Sequence, residues 1–429
     1  MNLLVMLNIK DHCFIENVKY STKKLKVNLG VNIFKAGLCE EVNQVVIFRF
    51  VGFYISDNNE FIVVFPKGYK LPDSEVQLSE DIANLINTLS RYQKESNFDP
   101  ENTQIFGDAG NYTSLSAANW LIKDFITNGI FINNKISYVR NQNNNIDWPK
   151  TIKYINPVIS NKQVAYLEFV SRKKRTDESN LLTRIHGYIV YQSFKILGPF
   201  IGLKMPPELI GYNSELLQEY DINQIIHFIE QERNNLFTDR EVHLCNKLIE
   251  FLKGNSSVEA DSNIMCLAVR HFHVVWEKIC SLLFANMSAN NIMPNPFWQV
   301  NDKSIKTSQI PDVMLRNKNQ LYIIDAKYYT LYKNLKGLPG WGDLVKQFFY
   351  LYTLKDRVDN IREMFNIFVF PGTSNEIIKY YGKAAVEGVE SLGHIYGFTL
   401  DVSKALKMYA HYNNNQMQNN LVEVVQKSI

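Results

Sequence analysis

Apolar positions change their spacing twice along the chain. From Met1 to about Lys70 they fall in short β-branched and aromatic runs, QVVIFRFVGFYI and EFIVVF, separated by the polar stretches SDNN and PKGYKLPDS. That pattern predicts a β-rich module, with MNLLVMLNIKDHCF as its first strand. In SEDIANLINTLSRYQ the period becomes helical: Ile82, Leu85, Ile86, Leu89 and Tyr92 recur at three- and four-residue intervals after Ser79, a residue type that caps helices. LSAANWLIKDFITNG continues the helical spacing as far as Gly129. NNKISYVRNQNNNIDWPKTIKY then reads as a polar, asparagine-rich connection, and VAYLEFV as a strand leading into the charged turn SRKKRTDESN.

A run of Gly, Ser, Asp and Asn in FLKGNSSVEADSN, Phe251 to Asn263, marks a linker. Beyond it the spacing predicts a helix over LAVRHFHVVWEKICSLLFANM, a strand pair over IPDVMLRNKNQLYIIDAKYY and a loop in KGLPGWGD. A second helix follows over LVKQFFYLYTLK, then strands in IFVFPG and HIYGFTLDV, and a helix from Ser403. The tail HYNNNQMQNN is expected to fray. This is an α+β, multidomain organisation: a β-rich N-terminal module (1–110), a mixed, largely helical middle domain (111–255) and a C-terminal α/β domain (262–429).

Composition narrows the class. At 429 residues the chain exceeds one ordinary core, and 46% hydrophobic with 21% charged residues is typical of a folded protein. The formal net charge of +3 gives no general attraction for phosphate, so a nucleic-acid surface must be a local patch. Five scattered cysteines without CxxC spacing argue against a disulfide framework or a zinc site. No apolar stretch approaches a membrane span and no secretory signal opens the chain, so a cytoplasmic, membrane-independent protein is expected.

Candidate chemistry concentrates in one hairpin. VML and LYIIDAKYY flank RNKNQ, so the chain reverses near Lys318 and Asp312 falls opposite Ile324 or Asp325. Side chains alternate along the second strand, which places Ile323, Asp325 and Lys327 on one face. Buried charges need partners or a metal, and two carboxylates suit Mg²⁺, with the Ala326 carbonyl as a further oxygen donor. A bound cation would activate water, and Lys327 would orient that water or offset developing charge. The ordinary alternative is an exposed Asp–Lys pair worth under about 1 kcal/mol. Upstream, Phe272, Val275, Trp276, Ile279, Leu282 and Leu283 form a helical stripe that leaves Glu277 on its flank, with Arg270 and His273. Downstream, Asp343 is expected to cap a helix that turns Lys346, Gln347 and Tyr350 to one side.

These segments resemble the PD-(D/E)xK nuclease superfamily: IPDVML and LYIIDAKYY, with VVWEKI before them and DLVKQFFYLY after. Within it they are similar to LlaJI-type restriction endonucleases related to the McrC nuclease subunit. IDWPKTIKY and TRIHGYIV look like further LlaJI-family segments, so the resemblance runs from about Asn143 onward. It implies a central mixed sheet flanked by helices in the C-terminal domain. It also implies Asp312 and Asp325 as the metal pair, Glu277 as the first-helix carboxylate, Lys327 as the motif lysine and Gln347 as the glutamine of the following helix. Leu351 stands where related nucleases often carry tyrosine, with Tyr350 and Tyr352 beside it.

The function implied is a Mg²⁺-dependent DNA endonuclease subunit of a restriction or phage-defence system, with Mn²⁺ able to substitute. Double-stranded DNA is the implied substrate, and a separate McrB-like AAA+ GTPase the implied partner. A homodimer would serve double-strand cleavage. The chain lacks a P-loop of its own: the nearest candidate, Gly382 to Ala384, has Ile377 where the first glycine belongs. The alternatives are a stand-alone sequence-specific type II enzyme and a regulatory subunit that mainly stimulates a partner NTPase. On this reading the first 110 residues are dispensable for the nuclease fold and serve docking. The run Arg172, Lys173, Lys174, Arg175 reads as a solvated turn, and Trp148 as a domain-packing anchor.

Overall fold

The computed structural model describes residues 8–56, 60–95, 113–141, 145–160, 163–177, 180–213, 220–255, 266–290, 292–307, 309–332, 334–355, 357–414 and 416–429. It is a mixed α/β protein of several sheets and helices. The chain forms two compact units. One comprises Met1–Ser116, Phe200–Gly202 and Ser257–Ile429; the other comprises Ala117–Pro199 and Leu203–Ser256.

The first unit opens with strands β1 (Cys13–Ile15) and β2 (Lys19–Ser21), helix α1 (Asn32–Lys35), and strands β3 (Cys39–Val42), β4 (Val45–Phe48), β5 (Val51–Ile55) and β6 (Phe61–Phe65). Residues 1–7 of the expected first strand lie outside the described residues, and strand begins only at Cys13. β2, β4 and β3 form one small sheet, while β1, β6 and β5 belong to another. Phe14, Phe48, Phe50, Tyr54, Ile62 and Val64 make one buried cluster, as the β-branched and aromatic runs predict. Helix α2 (Glu75–Glu95) buries Ile82, Leu85, Ile86, Leu89 and Tyr92. It starts before Ser79, which is itself buried inside it; Ser74 Oγ accepts from the Gln77 N–H at 3.3 Å instead. The apolar stripe located this helix, and its start is marked by Ser74, three residues before Gln77, not by Ser79.

In the second unit, helix α3 (Thr113–Asn128) ends at Gly129, whose φ of 72° lies in the left-handed region that glycine tolerates. Strands β7 (Asn133–Arg140) and β8 (Asn145–Ile146), helix α4 (Trp148–Tyr154) and strands β9 (Val158–Ser160), β10 (Gln163–Ala165) and β11 (Val170–Asp177) follow. The expected polar connection is therefore largely regular structure. The expected basic turn is strand β11, paired antiparallel with all of β7; charged side chains are tolerated there because the ladder satisfies the backbone whatever the side chains are. Trp148 is 52% exposed at the start of α4, so it does not anchor packing. Helices α5 (Leu181–Leu197), α6 (Ile222–Arg233) and α7 (Asp239–Asn255) complete the unit. Helix α7 covers the start of the expected linker, and 256–265 lie outside the described residues.

The chain re-enters the first unit through β12 (Cys266–Val269), which pairs antiparallel with β5. LAVR is thus strand, and helix α8 begins at Phe272 and ends at Phe284. An exposed hairpin, β13 (Phe297–Val300) and β14 (Lys303–Lys306), precedes β15 (Val313–Asn317) and β16 (Gln320–Ala326). Helix α9 (Trp341–Leu354), β17 (Glu363–Gly372), β18 (Ile378–Ala384), β19 (Ile395–Asp401), helix α10 (Val402–Ala410) and helix α11 (Met417–Ser428) close the chain. The sheet order is β15-β16-β17-β19-β18, with β16, β17 and β19 parallel and both edge strands antiparallel. The expected frayed tail is helix α11 from Met417 onward, held by buried Met417, Leu421, Val422 and Val425.

The front and the back of the chain share one compact unit and one core, whereas the sequence divided them into separate modules. Besides the β5–β12 pairing, Thr88 Oγ donates to the Leu406 carbonyl at 3.1 Å and Ser403 Oγ to Asp81 at 2.5 Å. Arg91 bonds the Tyr409 carbonyl. Gly68, at φ 77°, lies so close to Pro371 that a Cβ there would meet its carbonyl oxygen at 2.5 Å. Among the described residues, no helix is long and apolar enough to cross a membrane.

Candidate active site

The hairpin register is the one the sequence implies. Val313 pairs with Ile324 and Asn317 with Gln320, so the chain turns at Lys318 and Asn319, and the residue before Val313 meets the one after Ile324. Lys318 adopts φ 53° in this turn. Asp312 Oδ2 accepts from the Ala326 N–H at 2.8 Å, which fixes the first carboxylate beside the end of β16. Asp325 is buried, and its Oδ2 lies 2.5 Å from Lys327 Nζ, an ion pair set off the line of a hydrogen bond. Lys346 Nζ approaches its other oxygen at 3.4 Å.

Glu277, on α8, faces the same cluster. Burial raises its carboxyl above the usual range and the neighbouring Asp325 raises it further, while Lys346, Lys327 and Lys278 pull it back. Burial lowers the His273 imidazole, and His271 and Lys67 lower it further. Asp312 is pushed up to about 7, first by burial and then by Asp325, against the Ala326 hydrogen bond. Three carboxylates are therefore held where their charges oppose one another.

Lys327 is surrounded by acid. Its Nζ also donates to Asp343 at 2.8 Å, and Tyr329 donates to the other Asp343 oxygen at 3.0 Å. Burial lowers the Lys327 ammonium, but the attraction of Asp325 and Asp343 outweighs it and holds the group above an ordinary lysine. Asp343 is not the helix cap that was expected: Gly340 is the N-cap of α9, and Asp343 sits in its first turn with its side chain committed to Lys327. Sequence spacing missed this role, because only the fold brings the start of α9 to the end of β16.

Gln347 does not open toward solvent. It is fully buried, and its Nε2 donates to the Ile323 carbonyl at 2.8 Å. Lys346, next to it, is the residue of α9 that reaches the carboxylates. Tyr350 is buried and donates to the Ile310 carbonyl at 3.2 Å, whereas Tyr352 is exposed. Ala326 is buried with its N–H on Asp312. Among the described residues, no group of three or more His, Cys, Asp or Glu side chains is placed to hold a metal ion as it stands.

A mixed sheet flanked by helices, with carboxylates and lysines gathered where β16 ends, defines an α/β protein with a polar, half-buried charge cluster at that strand end. The chain belongs to the LlaJI restriction endonuclease family, whose model matches residues 50–403. It is similar to the "Type II restriction enzyme BsuMI component YdjA" of Bacillus subtilis (strain 168), at 26% identity over 435 aligned residues, covering 94% of this chain and 89% of that protein. A solved structure described as "Refined half-complex from tetradecameric assembly of Thermococcus gammatolerans McrB AAA+ hexamers with bound McrC" is 13% identical. It covers 94% of this chain and 99% of that chain, with a TM-score of 0.41.

Proposed function

We propose that this chain is the nuclease subunit of a restriction system and hydrolyses DNA phosphodiester bonds at Asp312, Asp325 and Lys327 with Mg²⁺ as cofactor. The PD-(D/E)xK unit is then the β15–β19 sheet with α8 and α9. The observation that carries the reading is the gathering of Asp312, Asp325 and Glu277 at one partly buried place, where burial first, and then the charges of Asp325 and Glu277, push the Asp312 carboxyl up to about 7. Such repulsion has no structural benefit and is relieved by a cation. The donors fit a hard one, since Mg²⁺ needs only one or two protein carboxylates and completes its shell with water and phosphate oxygens.

Asp312 and Asp325 would hold the ion, with the Ala326 carbonyl and Glu277 beside them. When bound, the cation lowers the pKa of water and neutralises charge on the phosphoryl oxygens. Lys327, charged and steered by Asp343, orients the attacking water and offsets charge in the transition state. Lys346 is exposed enough to meet a DNA phosphate. Gln347 holds the Ile323 carbonyl and so positions the strand that carries Asp325.

The word "component" in the relative's name supports a multi-subunit enzyme. With no P-loop in this sequence, any nucleotide hydrolysis the reaction needs would come from a partner, in our reading a McrB-like AAA+ subunit. The test uses the full chain with that partner. Asp325→Asn keeps shape but loses the charge that holds the cation, so Mg²⁺ affinity and cleavage collapse together. Lys327→Ala binds Mg²⁺ but cuts about 10² to 10³ times more slowly. Parental cutting by a folded Asp325→Asn chain removes the nuclease assignment.

A further inference from the structure

Charge is unevenly distributed. Between Asn133 and Asp177 the chain carries nine Lys and Arg residues against three Asp and Glu, while the whole chain is only +3. The remainder is therefore net negative, and the second unit holds a concentrated basic segment. Its geometry is ordered around one aromatic ring. In the β7–β11 ladder Arg172 stands opposite Tyr138 and Val170 opposite Arg140, so Arg140, Tyr138 and Arg172 share a face. Asp147 ties α4 to that face: Oδ1 accepts from the Lys150 N–H at 3.0 Å and Oδ2 from Arg172 Nε at 2.7 Å. Lys150 Nζ then rests 3.1 Å from the centre of the Tyr138 ring. Tyr138 is 43% exposed and the Arg172 side chain 54%. Lys153, on the next turn of α4, is exposed as well.

We propose that this face of the second unit, built from β7, β11 and α4, is the chain's duplex-DNA-binding surface and grips the phosphate backbone. The proposal rests on the reading of the chain as acting on DNA. A segment so rich in cations is stabilised little by its own fold, since the one buried carboxylate beside the face, Asp147, is used to aim Arg172 and cap α4. Polyphosphate is the partner whose charge matches. Guanidinium forks engage phosphate oxygens in pairs, and ammonium groups release condensed counterions on contact. Such contacts fix the register of the protein on the duplex and carry no sequence information by themselves.

The experiment measures binding without cleavage, using the full chain carrying Asp325→Asn, EDTA, and a labelled duplex of about 30 base pairs titrated at several salt concentrations. Combining Arg140→Ala, Lys150→Ala and Lys153→Ala removes three contacts, so the slope of log affinity against log salt falls by about 2.7. Between about 50 and 200 mM salt the parent then loses roughly 40-fold more affinity than the variant. Removing three exposed lysines of the first unit, Lys23, Lys24 and Lys35, leaves the slope unchanged. Arg140→Gln alone, the mildest change, lowers the slope by about 1. A folded triple variant with the parent's affinity and slope overturns the proposal. The same result with lost capture of the AAA+ partner would reassign the face to protein docking. If the chain with Asp325 intact, assayed with its AAA+ partner and Mg²⁺, binds through this face yet never cuts, the proposal stands and the nuclease reading is removed.

Discussion

Substituting Asp312 by Asn separates a catalytic cluster from a structural one, because the two readings predict opposite signs. In the folded protein the Asp312 carboxyl is pushed up to about 7, from an ordinary 3.8, by burial and by Asp325. The folded state therefore binds the proton more tightly than the unfolded state, and stability falls as pH rises from about 4 through 7. At about 1.36 kcal/mol per pH unit the ceiling is about 4 kcal/mol, and with partial exposure and screening about 1–3 kcal/mol remains. Asparagine keeps an acceptor for the Ala326 N–H but carries no charge. At pH 8 in EDTA, Asp312→Asn is therefore more stable than the parent by about 1–3 kcal/mol, and the gap closes below about pH 4. Mg²⁺ reverses the order, since it stabilises the parent by binding the folded state and does little for the variant. Scanning calorimetry at pH 8 and pH 5, with and without Mg²⁺, reads all four states. An Asp312→Asn protein less stable than the parent at pH 8 in EDTA would mean that Asp312 is a net stabilising partner, and the crowded-carboxylate argument would fail.

Legibility in the sequence depended on how local the cause was. The β15–β16 register followed from alternation and a reversal at Lys318, both properties of a single hairpin. The stripe of Ile82, Leu85, Ile86, Leu89 and Tyr92 likewise belonged to one helix. Strand β12 was misread as helix because LAVR is short and apolar, a pattern that both structures accept; pairing with β5, more than 200 residues away, decided it. The basic strand β11 was misread as a turn for a related reason. Charge density signals solvent, and β11 is ladder-bonded along its length even though the Arg172 side chain stands in solvent.

The site divides along the same line. Asp312, Asp325 and Lys327 share one hairpin, and their approach could be worked out from alternation. Asp343 could not be found that way. Its contact with Lys327 crosses from the start of α9 to the end of β16, and a carboxylate in a first helical turn has an ordinary reading as a dipole partner. Lys346 and Gln347 were assigned to one side of the helix together. Adjacent helical positions diverge by about 100°, so Lys346 reaches Asp325 while Gln347 turns into the core.

Two further predictions follow from contacts that the sequence left hidden. Asp343→Asn removes the carboxylate charge that steers Lys327, so single-turnover cleavage slows about tenfold with duplex affinity unchanged; parental rates would show that Lys327 needs no steering. The last concerns a fragment of residues 262–429, which contains every proposed catalytic residue and yet is expected not to fold. It leaves β12 without β5 and strips α2 from α10, where Leu406 and Tyr409 are buried, at about 1.5–3 kcal/mol for each large side chain exposed. It also orphans Tyr328, the residue after Lys327, whose buried hydroxyl donates to Glu16 at 2.5 Å and accepts from the Lys67 N–H at 2.9 Å. Total stabilities are only about 5–15 kcal/mol, so these losses exhaust the margin. The fragment should show no cooperative melting transition and no Mg²⁺-dependent stabilisation, whereas the full chain shows both. Cooperative unfolding of the fragment with parental Mg²⁺ affinity would mean that the shared core is incidental and the front strands serve docking alone.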